Sequence, residues 1–573
     1  MDELKSGYWS GSLRQRVSRR TVLRGAGMTG AGLAAAALIG CGSDEDDPEP
    51  TAAATSAGTG TAAATATEAV AMGKPGGRLA LSQAGDPPSF DLHRESTTYT
   101  NYVTSMAYNQ IVRFDPMIGA ESPDTIIGDL ASEWEISPDG QTYTFHLVQN
   151  AKFHDGTPFT AADAAASYQR QKDKPEDLPA PPRGDQLGAI GSMETPDDHT
   201  LVMNMSRPVS ALSMLPILGQ SWMAIYPAAT IAAGFDRKAL ANGTGAFRMS
   251  SYEQGVKVTL DKNPDYWQEN LPYLDGVDVF VVPDASTALA NFQGGQIHVY
   301  APNRRDLESL QNALGDKIVT EEGPSLGFNV INFGGIEPWT DVRVRQAIAM
   351  AMDKNVAIEV QNQGDGLLGG YMPAGGFWSL SDSELAAIPG YEPFTDSTVA
   401  EARKLLDAAG VPASMDARIL TRQGSSFEPF SLYIQDQLAK VGIAGSLDIQ
   451  ETASAYDILA KRDFDLAPWN HGIALDDPDA IYSEFYITGG ARNYSQVSTP
   501  EIDEAYLTQS QEQDPEARRA LVKELQKISM PAYGKVLTNW SSGREAHWAT
   551  VKDYTRHQNS YNARQWRQVW LDV

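Results

Sequence analysis

Cysteine is almost absent: Cys41 stands alone among 573 residues. The fold therefore has no internal disulfide to draw on, and thiolate metal clusters are excluded. Positive charge is also scarce, with 45 Lys and Arg against 73 Asp and Glu. Beyond residue 40 the balance is 39 basic to 71 acidic side chains, a formal charge of −32. That field repels nucleic-acid phosphates and anionic lipid headgroups, and no Lys/Arg-rich patch offsets it, so no nucleic-acid partner is expected. The eight histidines are scattered and form no H-x3-H pair, which leaves direct metal coordination weakly supported; no metal and no cofactor is expected. No H-E-x-x-H occurs. Paired carboxylates could always be assembled from so many acids, so counting alone does not dismiss glycosidase chemistry, but no motif selects a pair and no enzyme is expected.

Long apolar runs are missing as well. The longest candidate, Gly25 to Ile39, follows a basic segment ending in Arg19, Arg20 and Arg24. At about 15 residues it falls short of the roughly 20 that a membrane-spanning helix needs. A basic flank, a short apolar stretch and small residues before a break describe an export signal over residues 1–40. Ser18-Arg19-Arg20-Thr21-Val22-Leu23-Arg24 resembles the bacterial twin-arginine signal, with Val22 where Phe is usual. Leu38-Ile39-Gly40-Cys41 resembles a lipobox, whose cysteine is lipidated and becomes the new N-terminus. "GAGMTG" in the same leader fits G-x-G-x-x-G but lacks the preceding strand that a dinucleotide site requires. Residues 41–74, acidic and then Ala/Thr-rich, have no periodic apolar face and read as a tether. The expected location is extracytoplasmic, at the outer face of the cytoplasmic membrane (periplasm or cell surface), attached by the lipid on Cys41 alone.

What is present is strand and helix patterning. In "QTYTFHLVQNAKFHDGTPFTAAD" the residues Tyr143, Phe145 and Leu147 alternate with Thr142, Thr144 and His146, a half-buried strand. His154-Asp155 could open a catalytic or metal centre, but Gly156 and Asp155 supply turn chemistry, and Thr160 with Asp163 forms a capping box. No second His-Asp pair completes a metal site, so this stretch is read as a turn. Farther on, Val344, Ile348 and Met352 make a helical stripe capped near Asp341, and Phe430, Ile434, Leu438 and Val441 make another. Strands alternate with helices over 325–470, which predicts an α/β region.

The segment "SPDGQTYTFHLVQNAKFHDGTPFTAADAAASYQR" closely resembles the solute-binding proteins of peptide and nickel ABC importers, bacterial extracellular solute-binding family 5. "GGRLALSQAGDPPSFDLH", "GTGAFRMSSYEQGVKVTLDKNPDYW", "WTDVRVRQAIAMAMDK" and "STVAEARKLLDAAG" follow in the family's order, so the resemblance covers roughly 75–555. It implies an α/β, two-lobe periplasmic-binding-protein fold of the large three-subdomain type, hinged on two crossing strands. Lobe I would take 75–108, 241–335 and 533–573, an extra subdomain 109–240, and lobe II 336–532, with the hinge near 323–335 and 532–540. The implied function is capture of a peptide-like or other organic solute by a monomer that delivers it to an ABC permease and its ATPase. A nickel-chelate or sugar receptor, and a sensor that does not transport, share these features.

A pocket between lobes needs aromatic walls and a few polar groups. "FDLAPWNHGIALDDPDAIY" resembles the family's pocket segment, in which an aspartate three residues after a Trp pairs with a peptide's ammonium. Here Trp469 is followed at that spacing by Gly472, and the residue four before Pro478 is Ala474. The amine partner is missing unless Asp476 reaches inward. Otherwise Asp476 and Asp477 form a solvated turn before a helix. Trp469, Asn470 and His471 are candidate pocket residues, and His471 could hold a nickel chelate. By resemblance Tyr108 and Asn109 join them. Tyr371, Phe377 and Trp378 form an aromatic, Gly-rich loop suited to a cleft, and Arg422 could meet an anionic group or sit as a surface arginine.

Overall fold

The computed structural model describes residues 73–573 apart from Ser96, Ser560 and the stretches 175–180, 424–426 and 563–565. The expected export signal with Arg19 and Arg20, the lipid-acceptor Cys41 and all but the end of the tether lie outside the described residues.

Alternating burial builds the first sheet. Arg78–Gln83 (β1) buries every second residue and pairs in parallel with Gly276–Val281 (β10). Lys257–Lys262 (β9) and Phe247–Glu253 (β8) complete the order β1-β10-β9-β8. Leu79, Leu81, Val258, Leu260, Val277 and Val279 are its core. Two small ladders stand apart from it: Val112–Phe114 (β2) with Ile126–Gly128 (β3), between β1 and β8 in sequence, and Val551–Lys552 (β17) with Trp570–Leu571 (β18), after β10.

A second sheet is antiparallel throughout, in the order β4-β5-β7-β6: Ala131–Ile136 (β4), Thr142–Leu147 (β5), Thr200–Met205 (β7) and Ile190–Asp197 (β6). Tyr143, Phe145 and Leu147 are buried, as the alternation predicts, and the helix Ala161–Lys172 packs on them through Ala164 and Tyr168. The Asp163 carboxylate accepts from Thr160 N (2.8 Å) and Oγ1 (2.9 Å), which is the capping box. The histidine turn before it is structural. His154 N donates to Gly243 O, its Nε2 lies 3.0 Å from Gly245 O, and Gly156 takes φ +89°. Asp155 accepts from Thr157 N (2.9 Å), and burial lowers the His154 pKa. The turn fastens this subdomain to the irregular segment leading into β8.

The largest sheet runs β11-β16-β12-β15-β13-β14, from Val299–Tyr300 (β11) through Lys535–Trp548 (β16), Ile318–Phe333 (β12), Leu466–Gly472 (β15) and Met415–Arg422 (β13) to Ile443–Gln450 (β14). Its inner part is covered on both faces, so side chains of either parity are buried. Val330, Ala467 and Trp469 face one cluster with the helices Pro478–Phe485 and Pro515–Ser529. Ile331, Phe333 and Leu466 face the other with Val342–Ala351 and Glu428–Lys440. The long strands β12 and β16 pair from Ile318↔Trp548 to Asn332↔Lys535, linking the β11 end to the α/β lobe. Their register breaks between Pro324 and Phe328 and again at Asn329/Val330, where such irregularities concentrate bending. Gly323-Pro324-Ser325-Leu326-Gly327 fits G-x-S-x-G, but it lies inside β12, with Ser325 Oγ donating to Ser541 O (3.3 Å), not on the strand-to-helix elbow a nucleophile needs.

Among the described residues, no helix is long and apolar enough to cross a membrane, and no group of three or more His, Cys, Asp or Glu could hold a metal ion.

Candidate functional site

Beside the end of β15 a cavity of about 710 Å³ lies between the lobes. The first lobe and its subdomain contribute Thr97, Thr98 and Tyr99 at a helix N-terminus, Arg183 and Tyr561. The α/β lobe contributes Arg422, Tyr456, Asn470, His471, Arg492 and Tyr494, with Glu484 behind Arg492. The two sides touch. Gln186 Nε2 donates to Glu484 Oε1 (3.0 Å), Ser213 Oγ to Asp479 Oδ2 (2.5 Å), and Ser210 N to Ser510 O (2.9 Å).

Strand register positions the far wall. Asn470 on β15 is opposite Asn329 on β12, which is opposite Asn539 on β16. Their amides form a ladder: Asn470 Nδ2 to Asn329 Oδ1 (3.0 Å), Asn329 Nδ2 to Asn539 Oδ1 (3.3 Å), Asn539 Nδ2 to Asn362 Oδ1 (2.6 Å). His471 packs among Phe328, Phe485 and Tyr494, with ring centroids 5.0 to 6.1 Å away. Burial, followed by the charges of Arg492, Lys535 and Arg422, drives its pKa well below the ordinary value, so the imidazole is neutral.

Three guanidinium groups dominate the electrostatics. Arg422, the last residue of β13, lies over the rings of Phe427 (3.7 Å), Trp469 (4.8 Å) and Tyr456 (5.3 Å). Its Nε is buried without a hydrogen bond, and among the described residues no carboxylate stands within ion-pair distance of it. Arg183 lies 3.8 Å above Trp222 and donates weakly to Glu95 O (3.4 Å). Burial pulls its pKa down to about 10, still protonated at neutral pH. Arg492 alone has an acid, Glu484 Oε2 at 3.2 Å. Behind it Lys535 is buried, holds Asn332 Oδ1 (2.7 Å) and is pulled down to about 7 by burial and Arg492.

Asn470, His471 and Arg422 therefore meet at this cavity, and Trp469 is buried behind Arg422. The other sequence candidates do not line it. Tyr108 borders a separate cavity of about 440 Å³ with Pro227, Phe235 and Leu240. Asn109 is buried and holds the Asp129 carboxylate at 2.9 and 3.0 Å. Tyr371 stacks on Tyr486 (4.0 Å) and donates to Lys535 O (2.9 Å). Trp378 donates to Asp476 O (3.1 Å), with Phe377 edge-on against it. Asp476 does not reach into the cleft; it is buried beside Glu121. The expectation of a solvated turn is corrected for both acids. Asp477 caps the helix Pro478–Phe485 but is 1% exposed, because the buried Arg518 guanidinium grips it at 2.9 and 3.1 Å. Sequence reasoning missed Arg183, Tyr456, Glu484, Arg492, Tyr494 and Tyr561. Only "GGARNYS", residues 489–495, carries a signal, an arginine and a tyrosine in a Gly-rich loop.

Known proteins carry the same organisation. Residues 125–493 match the bacterial extracellular solute-binding proteins, family 5 (middle region). A Brucella ovis protein named for ABC-transporter peptide binding is 30% identical over 344 residues, 58% of this chain and 62% of that one. The heme-binding protein A of Haemophilus influenzae is 29% identical, over 56% of this chain and 59% of its own length. The dipeptide-binding protein of Pseudomonas aeruginosa is 28% identical, over 58% and 64%. The matched stretch thus spans about 60% of these relatives' length. Among solved structures, DppA of Helicobacter pylori in complex with the peptide STSA superposes with a TM-score of 0.76 at 23% identity, covering 87% of this chain and 99% of that one. AgaA of A. tumefaciens R10 in complex with agropinic acid gives 0.75 at 24%, with the same coverage. These likenesses establish the two-lobe fold of periplasmic binding proteins, and with more than half its length matched, the chain belongs to the bacterial extracellular solute-binding proteins, family 5.

Proposed function

We propose that this chain is the extracytoplasmic receptor of an ABC importer, closing its lobes on an organic solute and presenting it to a membrane permease and its ATPase. The observation that carries this reading is the interlobe cavity of about 710 Å³, walled from both sides and lying beside the irregular middle of the β12–β16 pair. A hinge there lets one lobe swing against the other, as ligand-gated closure requires. The leader with Arg19-Arg20 and the Leu38-Ile39-Gly40-Cys41 segment support export followed by lipid anchoring at the outer face of the cytoplasmic membrane.

Relatives named for dipeptide and heme binding bracket the solute without choosing it. A free peptide brings an ammonium, and among the described residues the only carboxylate lining the cavity is Glu484, already engaged by Arg492 and Gln186. Burying an unpartnered ammonium costs several kcal/mol, which favours solutes other than simple peptides. The test is a thermal-shift panel on the purified protein, with small-angle scattering on each hit. A ligand at 100 times its Kd stabilises by about 2.7 kcal/mol and should shrink the radius of gyration. A panel of peptides, sugars, opines, chelates and organic acids that moves neither quantity refutes the receptor reading.

A further inference from the structure

Resting on that receptor reading, we infer that the cleft takes an organic oxyanion, a solute whose carboxylate or phosphate is received by Arg422 and shared with Arg183 and Arg492.

The charge inventory of the cavity is the first argument. Beyond residue 40 the chain carries −32, yet among the described residues this cavity is lined by three guanidinium groups and one carboxylate. Glu484 is in ion-pair contact with Arg492, accepts from Gln186, and reaches Arg183 only through its longer-range field. His471 is neutral and adds no negative charge, and its pKa is lowered by Arg492, Lys535 and Arg422 together, which places all three cations within electrostatic reach of one ring. Arg183 feels burial first, then the charge of Glu484, and Arg492 more weakly. In a protein so rich in acids, a cluster of cations left two charges short of neutrality within one pocket is not a random surface feature.

Geometry is the second argument. Arg422 is held by ring faces rather than by a carboxylate. A guanidinium stacked this way keeps its in-plane N–H donors free for a planar, two-oxygen acceptor. Its Nε is already out of water and unpaired, and a buried donor without a partner carries a desolvation penalty that an arriving oxyanion removes. Arg183 repeats the device on the facing side, stacked on Trp222 with its Nε also unpartnered. Tyr456 and Tyr494 supply an aromatic wall for the rest of the solute, and Asn470 a neutral polar contact. The same positive field repels free ammonium groups and metal cations, so a chelate would enter only as an anion.

The decisive experiment compares charge-matched pairs on the wild-type protein by thermal shift and calorimetry. The probes are glutamate and glutamine, succinate and succinamide, and glucose 6-phosphate and glucose, at low and at physiological salt. The inference expects an acidic member to bind while its neutral twin is silent, with the carboxylate and phosphate arms showing which oxyanion is preferred. Arg422→Gln should then weaken that binding by about ten- to hundredfold, with Arg422→Lys in between. Equal binding of a neutral member by wild type and Arg422→Gln overturns the oxyanion assignment while leaving the receptor reading intact. Silence from these probes while a solute without an oxyanion in the wider receptor panel binds overturns the oxyanion assignment alone, and silence from that whole panel as well overturns both. Because the matched pairs are read on the wild type, the outcome does not depend on a variant folding.

Discussion

Glu121 and Asp476 bring two carboxyl groups into one buried junction where the subdomain, the α/β lobe and the C-terminal segment meet. Among the described residues no cation is paired with either. Asn562 Nδ2 donates to Glu121 Oε1 (2.6 Å) and Asn559 Nδ2 to Oε2 (3.3 Å). His557 Nδ1 lies 3.8 Å away, but burial lowers its pKa to about 4, leaving it neutral. Asp477 has its own partner in Arg518, and Asp476 Oδ1 is buried without a hydrogen bond. Burial, only partly offset by the two asparagines, raises the Glu121 pKa from 4.5 to about 7. Burial, then Glu121, raises that of Asp476. The folded state therefore holds a proton that the unfolded chain gives up near pH 4.5. Stability from this junction is complete below that pH and is lost as pH rises through about 7. At ~1.4 kcal/mol per pH unit, the interval amounts to about 3 kcal/mol. Glu121→Gln removes the titration. Whatever the amide costs in acceptor capacity is the same at every pH, so the quantity to read is how the Tm gap between variant and wild type changes from pH 5 to pH 8.5. It should move by about 2–3 °C in favour of the variant at the alkaline end, and Asp476→Asn should move it in the same direction. Tm curves that run parallel across that range would refute the reasoning.

Two other outcomes follow from the same structure, and a third tests the lipid anchoring proposed from the leader sequence. Arg518→Met strands Asp477 and Asp479 in the core, so urea unfolding should show a loss of about 3–5 kcal/mol that is larger at pH 8 than at pH 5, because the orphaned carboxyls can protonate. His154→Ala gives up the contact to Gly245 O and should cost about 1–3 kcal/mol in Tm-derived stability, while the Kd of any solute found for the cleft stays unchanged; a loss of affinity would make the turn part of the site. Cys41→Ser should move the protein from the membrane to the soluble fraction and abolish incorporation of labelled fatty acid, with the signal of Arg19 and Arg20 left intact.

The parts of the fold legible in the sequence are those set by neighbours a few residues away. Tyr143, Phe145 and Leu147 declare a strand because alternation is a local property, and Thr160 with Asp163 declares the helix that follows. His154 could be demoted to a turn for the same reason: Asp155, Gly156 and Thr157 supply the turn locally, while its contacts to Gly243 and Gly245 are long-range. The aromatic loop of Tyr371, Phe377 and Trp378 misled because composition tells that a side chain wants cover, not which cover it finds. Here Tyr371 and Trp378 are covered by Tyr486 and the helix Pro478–Phe485 rather than by a solute cleft, and Phe377 stays exposed. "LDDPD" misled in a related way. A run of acids before a helix looks solvated until Arg518, from a helix farther along the chain, arrives to neutralise it.

The cleft itself shows why a site of this kind resists reading from one sequence. β15 contributes a contiguous stretch, and Trp469, Asn470 and His471 could be found on it, because a strand delivers neighbouring residues to neighbouring places. Every other wall is long-range. Arg183 comes from the subdomain, Tyr561 from the C-terminal segment, and Arg492 and Tyr494 from a loop. What the sequence does contain is the absence of an aspartate at the amine-pairing position, and that absence has a physical consequence which the structure extends. Among the described residues lining the cleft the one carboxylate, Glu484, is paired with Arg492, so Arg422 and Arg183 have no ion-pair partner of their own there. Removing one acid from a pocket does more than delete a contact for a cation. It reverses the sign of the charge that the pocket is built to receive.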